Sequence, residues 1–155
     1  MARDTMTRKA ADNVYHHMDF HGALSTGIAY LEQRFGPEAV REYVRQFARK
    51  FYAPLIRDIR TRGLGALRRY LHLLYAREGG RIRMESSEDE LLLEVRLNPA
   101  VAHMRRQGYA VAPLFLETSR TLFEALCEET PYAAQWIRGD GETGRCAVRF
   151  TRRPA

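Results

Sequence analysis

The spacing of the apolar residues changes to a period of two at two separate places in the chain. Between residues 81 and 97, apolar and charged side chains alternate on both sides of a polar turn at 86–89. A second such pattern occupies 132–151, with a loop containing three glycines at 139–144. Alternation puts one face of a strand in the core, and a short turn between two such runs is typical of a β-hairpin. The chain therefore predicts two hairpins, and four strands are enough for one antiparallel sheet.

Apolar residues recur at three- and four-residue steps in the N-terminal part of the chain, which predicts helices. One helix is predicted to begin at Asp19 and to end at Gly36, because glycine commonly ends helices. Pro54 is expected to kink the second helix, since its ring removes one backbone hydrogen bond and clashes with the preceding turn. A third helix is predicted between the glycines at 63–65 and those at 79–80.

Two further helices are predicted between the hairpins. Asn98 and Pro99 supply an N-cap and a first-turn proline for a short helix that ends at Gly108. Pro113 is expected to start the next helix, which ends before Thr130. This order predicts an α+β fold, in which N-terminal helices pack with an antiparallel sheet built from two β-hairpins separated by helices.

The length of 155 residues fits one domain that can bury a core. Residues 1–13 show no periodicity and are interpreted as a flexible lead-in, and residues 14–155 as a single α+β domain. No apolar run approaches the roughly 20 residues that span a bilayer. The polar N-terminus also lacks the apolar core of a secretory signal. These features predict a cytoplasmic protein without a membrane segment, and its two cysteines are expected to be reduced thiols.

The formal net charge of +6 raises the question of a nucleic-acid partner. Among the 25 basic residues, only Lys9 and Lys50 are lysines, an imbalance typical of a GC-rich genome. The arginines are spread along the chain, with acidic residues among them. We interpret them as a solvated surface and not as a nucleic-acid footprint, although this charge would permit weak, salt-sensitive binding.

The stretch from Tyr15 to His21 (Tyr-His-His-Met-Asp-Phe-His) contains three of the five histidines and one carboxylate. Imidazole and carboxylate together suit a divalent metal such as zinc, manganese or iron. His17 and His21 would share one face of a helix, and His17, Asp19 and His21 would share one face of an extended segment. His17 and His21 are therefore the predicted metal ligands, and with Asp19 the predicted catalytic residues.

Asp19 has a structural alternative to a role in catalysis. It stands where the first helix begins, and aspartate is a favourable N-cap because its carboxylate accepts the unpaired N–H groups of the first turn. A metal site would also need a further ligand from a later part of the chain. The candidates are His72, Glu78, His103 and Glu117, and the sequence does not choose among them.

Two roles are open for a set of aromatic residues in the N-terminal helices. They are Tyr43, Phe47, Phe51, Tyr52, Tyr70 and Tyr75. Their helical spacing favours the core over the wall of a ligand pocket. Buried tyrosines need a polar partner for the phenol, so a few tyrosines at the edge of a cavity would also fit a pocket.

The oligomeric state is also open, and a homodimer is one of the alternatives.

Three short segments and one glycine carry a resemblance in the C-terminal half. They are Asn98-Pro99-Ala100-Val101, Gly108, the segment from Glu117-Thr118 to Leu126, and Gly144-Arg145-Cys146-Ala147-Val148-Arg149-Phe150. Between residues 90 and 151, the chain in this way resembles the L-2-amino-thiazoline-4-carboxylic acid hydrolase family of small α+β bacterial proteins. The family tends to have Cys-Pro where this chain has Asn98-Pro99, so a cysteine-based mechanism is not carried over to that position.

This resemblance implies a hydrolase that acts on a C–N bond of a cyclic amidine or amide-like substrate. In a metal-assisted version, the bound metal would lower the pKa of a water to about 7. The same arrangement also resembles the vinyl-reductase-type ligand-binding fold, which implies a non-catalytic sensor or carrier of a small molecule. For either function, the predicted ligand-binding residues are Tyr15, His72 and Glu117.

Overall fold

The structure is a computed structural model and describes residues 18–154. Its elements follow the predicted order of helices, hairpin, helices and hairpin. They are α1 (Phe20–Phe35), α2 (Pro37–Phe51), α3 (Ala53–Arg62), α4 (Leu64–Glu78), β1 (Arg81–Ser86), β2 (Glu90–Leu97), α5 (Pro99–Gln107), α6 (Glu117–Glu128), β3 (Tyr132–Gly139) and β4 (Cys146–Arg152). The predicted α+β class is confirmed, and the predicted lead-in of residues 1–13 lies outside the described part of the chain.

The two hairpins form one four-stranded sheet in the order β1-β2-β4-β3, and every neighbouring pair is antiparallel. The hairpins join through their second strands, β2 and β4. Leu93 lies opposite Val148, and Leu91 opposite Phe150. This register brings the apolar faces of both hairpins to the same side, which helices can then cover.

The main core lies between that apolar face and the helices α3, α4 and α6. Leu67, Leu126 and Phe150 are fully buried there. Burial of a side chain of this size stabilises the fold by about 1.5–3 kcal/mol. A smaller cluster around Ile28 joins α1, α2 and α5 beside the main core.

Two helix boundaries differ from the predicted ones. The helix expected to kink at Pro54 ends at Phe51, and α3 begins separately with Pro54 in its first turn. A proline is tolerated there, because the N–H it lacks would have no partner within the helix. The residues after Pro113 form turns, and α6 begins only at Glu117.

The second face of the sheet carries charged side chains of both signs. Arg138 on β3 reaches Glu94 on β2 at 3.2 Å, and Arg149 on β4 reaches Glu90 at 3.7 Å. Such cross-strand pairs are typical of a sheet face in contact with water. Within residues 18–154, no helix is both long enough and apolar enough to cross a membrane.

Candidate functional site

The described residues include only the end of the histidine-containing stretch. The predicted ligand residue Tyr15 and the predicted metal ligand His17 lie outside residues 18–154. Asp19 and His21 are described, and they lie at the start of α1.

The carboxylate of Asp19 contacts side chains of another part of the chain. Its Oδ1 lies 2.8 Å from Nε2 of His103 on α5 and accepts a hydrogen bond from the hydroxyl of Tyr109 at 3.3 Å. The negative charge of Asp19 raises the pKa of Tyr109. These contacts connect the start of α1 to α5 and to Tyr109, two residues beyond the end of α5.

The prediction that Asp19 caps α1 is wrong. Its side chain makes no capping hydrogen bond, and its backbone has the helical angles φ −64° and ψ −16°. A capping side chain normally belongs to a residue with extended backbone angles, because only then does it turn back to the first-turn N–H groups. The carboxylate instead bonds to His103 and Tyr109.

His21 and Glu78 form a second pair of an imidazole and a carboxylate. Nε2 of His21, in the first turn of α1, lies 3.3 Å from Oε2 of Glu78, the last residue of α4. Their side chains are 14% and 10% exposed. The pair joins two helices that are far apart in sequence, in a place largely shielded from water.

Asp19 and His21 therefore contact different helices, α5 and α4, although they are two residues apart. Among residues 18–154, no group of three or more His, Cys, Asp or Glu side chains could hold a metal ion. Of the further ligand candidates, Glu78 pairs with His21 and His103 pairs with Asp19.

A small pocket of about 100 Å³, here called the inner pocket, lies beside the pair of His21 and Glu78. Four more residues with polar groups on their side chains line it: Tyr75, Asn98, Thr118 and Ser119. Asn98 also caps α5 as predicted, since its side-chain oxygen accepts hydrogen bonds from the N–H groups of Ala100 and Val101. Residues at the start of α5 and in the first turn of α6 therefore line the same pocket as His21 and Glu78.

A larger groove of about 630 Å³, here called the aromatic groove, opens between α1, α2, α4 and α6. Its aromatic lining residues are Phe20, Tyr43, Phe47, Phe51, Tyr52 and Tyr70. The aromatic groove and the inner pocket share four lining residues, Leu24, Leu74, Glu78 and Thr118. Glu78 therefore lines both cavities, the mainly apolar groove and the more polar inner pocket.

Phe47 and Phe51 lie one helical turn apart on α2 and stack at 5.1 Å between ring centroids. They are 38% and 66% exposed, and Phe20 on α1 is 61% exposed. The helical spacing favoured a core position for the aromatic set. Tyr75 is in the core at 8% exposure, whereas Tyr43, Phe47 and Phe51 are exposed along the aromatic groove.

Tyr52 and Tyr70 form a polar contact within the aromatic groove. The hydroxyl of Tyr70 donates a hydrogen bond to that of Tyr52 at 3.1 Å, and the rings pack edge to face. Burial raises the pKa of both phenols, and the negative charge of Glu78 contributes to both rises. The two phenols therefore stay neutral and offer hydrogen-bonding groups inside an otherwise apolar surface.

The remaining predicted ligand residues lie elsewhere. Glu117 is buried in the first turn of α6, where it accepts hydrogen bonds from the hydroxyl of Thr121 and, at 3.4 Å, from Nε of Arg41. The contact with Arg41 connects α6 to α2. His72 is exposed and lines a different crevice, beside the sheet.

Both cysteines are buried free thiols, as expected. Burial raises the pKa of Cys127 to about 12 and that of Cys146 to about 12. A thiol with so high a pKa is protonated near neutral pH and is a poor nucleophile. Cys146 faces the core from β4, in line with its spacing from Val148 and Phe150.

The chain was also compared with known proteins. No model of a known protein family matches it, and no curated protein matches it. The residues that would bind a ligand are therefore inferred from geometry alone. The sequence indicated Glu78 only as one of four candidates for a further metal ligand and gave no binding role to Thr118 or Ser119. No periodic signal connects these positions, because they meet only through helix packing.

Proposed function

We propose that the protein binds a small, mainly apolar molecule in the aromatic groove and holds the polar end of that molecule at Glu78. The observation that carries this proposal is the exposed, stacked pair of Phe47 and Phe51 beside a half-enclosed groove of about 630 Å³. Ligand sites are commonly apolar clefts of about 300–1,000 Å³ with a few convergent polar groups.

The polar groups of the site would set the orientation of a bound ligand. Glu78 belongs to both cavities, and the hydroxyls of Tyr52 and Tyr70 lie within the aromatic groove. A ligand with an apolar body would bury its rings or chain against the aromatic side chains and direct one hydrogen-bonding group to Glu78. Polar groups in an apolar site fix orientation, while the apolar area contributes most of the affinity.

The test is binding of the neutral apolar dye N-phenyl-1-naphthylamine, followed by its fluorescence. We expect the wild-type protein to bind the dye and the double variant Phe47→Ala, Phe51→Ala to bind it at least about tenfold more weakly, since two apolar contacts are lost. The matched control is Tyr30→Ala, Phe35→Ala. These two rings also pair at the surface, at 56% and 66% exposure, but do not line the groove.

Equal weakening in both double variants would show that the dye binds nonspecifically to surface rings, and would overturn the proposal. The variants are first compared by thermal unfolding. A folded Phe47→Ala, Phe51→Ala protein that keeps wild-type dye affinity would also contradict the proposal.

We propose a second candidate function, hydrolysis of a C–N bond in a cyclic amidine or amide-like substrate at the pair of His21 and Glu78. The observation that favours it is an imidazole 3.3 Å from a carboxylate, both largely buried, beside a small pocket with several polar side chains in its lining. Such an imidazole can accept a proton from water, and the carboxylate stabilises the imidazolium that forms. Water would add to the amidine carbon, the C–N bond would break, and the proton would pass to the leaving nitrogen.

This second candidate is tested with 2-amino-thiazoline-4-carboxylate, the compound in the name of the family that the chain resembles. We expect turnover in the wild type and a loss of about 100-fold or more in His21→Ala, the usual range for a general base. His103→Ala is the matched control, because His103 also pairs with a carboxylate but away from the inner pocket. Equal losses in both variants, or no wild-type turnover, would rule out hydrolysis of this substrate at His21.

A zinc, manganese or iron site at His17 and His21 remains a prediction. Among residues 18–154, His21 and Glu78 supply two donors at the inner pocket, whereas a catalytic zinc site takes three from the protein. No step of the proposed hydrolysis therefore passes through a metal. Elemental analysis of untagged protein tests the prediction, since stoichiometric metal that is lost in His17→Ala, His21→Ala would support it.

We also propose a cytoplasmic location and a bacterial origin, and a small molecule rather than a nucleic acid as the principal partner. A homodimer stays open, and sedimentation equilibrium with and without the dye would test it. A dimer formed through the aromatic groove would dissociate as the dye binds.

A further inference from the structure

A crevice of about 1080 Å³ lies on the other side of α4 from the aromatic groove. His72, Tyr75 and Ala76 of α4 line it, whereas Leu73, Leu74 and Arg77 of the same helix line the groove. Tyr75, Val95 and Cys146 give the crevice a floor of core residues. The two cavities are therefore separate sites, divided by one helix.

Each strand of the sheet has one arginine of this crevice within it or directly beside it in sequence, and all four arginines lie at the same end of the sheet. Arg81 begins β1, Arg96 is near the end of β2, Arg138 is near the end of β3, and Arg145 directly precedes β4. Antiparallel order makes this coincidence possible, since the start of one strand lies beside the end of the next. We call this feature the arginine crevice.

The strand register places Arg81 of β1 and Arg145, which precedes β4, on the two sides of β2 and close together. Val95 on β2 pairs with Ile82 on one side and with Cys146 on the other. Arg81 and Arg145 are the neighbours of those two partners, so two strand spacings separate their backbones by roughly 10 Å. A molecule a few atoms across could contact both guanidinium groups.

The carboxylates of the arginine crevice do not balance its positive charge. Glu94 is shared between Arg138 at 3.2 Å and Arg96 at 3.7 Å. The carboxylate of Asp140 accepts bonds within its own loop, from the hydroxyl of Thr143 at 2.6 Å and from the N–H of Glu142 at 2.9 Å, which lower its pKa.

Among residues 18–154, Arg81 and Arg145 form no direct ion pair, although the charge of Arg145 contributes to the lowered pKa of Asp140. Four guanidinium groups thus face two carboxylates, and both carboxylates already have partners. Burial raises the pKa of Cys146, and the charge of Arg138 opposes that rise, so positive charge reaches the floor of the crevice.

From this arrangement we infer that the arginine crevice is a second binding site, for a small organic or inorganic anion carrying two or more phosphate or carboxylate groups. Guanidinium groups form paired hydrogen bonds with the oxygens of both anions. The crevice has room for a molecule well beyond a single phosphate. Because its arginines are exposed, the binding should weaken as salt is raised.

The test is isothermal titration of the full chain with inorganic pyrophosphate and, separately, with citrate, at about 0.02 M salt, where screening is weak. We expect the double variant Arg81→Gln, Arg145→Gln to bind at least about tenfold more weakly, because two charge-assisted contacts are lost. The matched control is Arg57→Gln, Arg68→Gln. It removes the same two charges from exposed positions of α3 and α4 outside the crevice.

A loss confined to the crevice variant supports the site, and the anion that binds more tightly identifies phosphate or carboxylate as the preferred group. Backbone amide shifts of Gly80 and Gly139, which line the crevice, should move in the wild type and stay unchanged in the crevice variant. Absence of binding by both anions overturns the inference, and so does equal weakening in the two double variants. Dye binding in the aromatic groove should be the same in all three proteins.

Discussion

The phenylalanines of the sheet core and those of the aromatic groove form ring pairs in opposite environments. Phe123 and Phe150 pack edge to face at 5.5 Å and are 4% and 0% exposed. Phe47 and Phe51 stack at 5.1 Å but are 38% and 66% exposed. A ring contributes to folding roughly in proportion to the apolar area that it removes from water. The groove pair therefore adds little to stability, and its exposed area remains available to a ligand.

The difference has a topological cause. The core pair is enclosed because α6 lies on the apolar face of the sheet, which places Phe123 against Phe150 on β4. The groove pair projects from α2 into the space between four helices that do not close over it within the described chain. Apolar area left exposed in this way is often a site of interaction.

The largest expected effect tests the core side of this comparison. Phe150→Ala should lower the free energy of unfolding by about 3–5 kcal/mol, because it removes a buried ring and leaves a cavity. Urea denaturation followed by circular dichroism measures it. A loss below about 1 kcal/mol would mean that the sheet core is not closed around this ring.

The two buried thiols give a second test of the core, because their ionisation makes the free energy of unfolding depend on pH. Burial raises the pKa of Cys127 and Cys146 to about 12 from an ordinary value of 9.0, so the folded state keeps both protons longer than the unfolded state. Their contribution to stability is complete below pH 9 and is lost as pH rises towards 12. The expected loss is roughly 3 kcal/mol per thiol by pH 11.

Urea titrations at a series of pH values measure this loss, and a thiol reagent gives an independent check. At pH 8, the reagent should modify the denatured chain rapidly and the native chain slowly. Rapid modification of the native protein would show that the core opens to solvent.

Tyr70 lies on the boundary between the two regions. Its ring packs against the main core, and its hydroxyl bonds to Tyr52 in the aromatic groove. Tyr70→Phe should cost about 0.5–1.5 kcal/mol, the usual contribution of one hydrogen bond. Thermal unfolding measures the cost, and dye titration shows whether the phenol also orients a ligand. No change in either quantity would remove the phenol pair from the proposed site.

The smallest expected effect tests the groove side. Phe51→Ala should change the free energy of unfolding by less than about 0.5 kcal/mol, as expected for an exposed side chain. The same urea experiment as for Phe150→Ala measures it. A loss comparable to that of Phe150→Ala would mean that the groove ring is part of the core, and the contrast between the two regions would fail.

Local signals predicted much of the fold. Asn98 caps α5 as expected, because proline follows it and its extended backbone turns the side chain towards the first-turn N–H groups. The identical argument failed for Asp19, whose backbone is already helical and whose carboxylate bonds to His103. Pro54 was assigned to the right region and the wrong role, since it starts a helix instead of kinking one.

The candidate site was predicted only in part. The sequence pointed to His21, and Glu78 was one of four candidate partners, because nothing local connects residues 57 positions apart. The aromatic set was recognised by its helical spacing, but spacing alone does not tell a core face from a face left open. The arginines of the sheet end could not be grouped, since each lies in or directly before a different strand.

The order of elements, the two hairpins and the apolar face of each strand follow from the residues alone, because periodicity and turn chemistry act over a few neighbouring positions. The contact of His21 with Glu78, the open state of the aromatic groove and the alignment of four arginines came only with the tertiary structure. They depend on how helices pack and on how the second strands of two hairpins pair. Those choices are decided by burial over the whole domain, and they join residues that no local pattern connects.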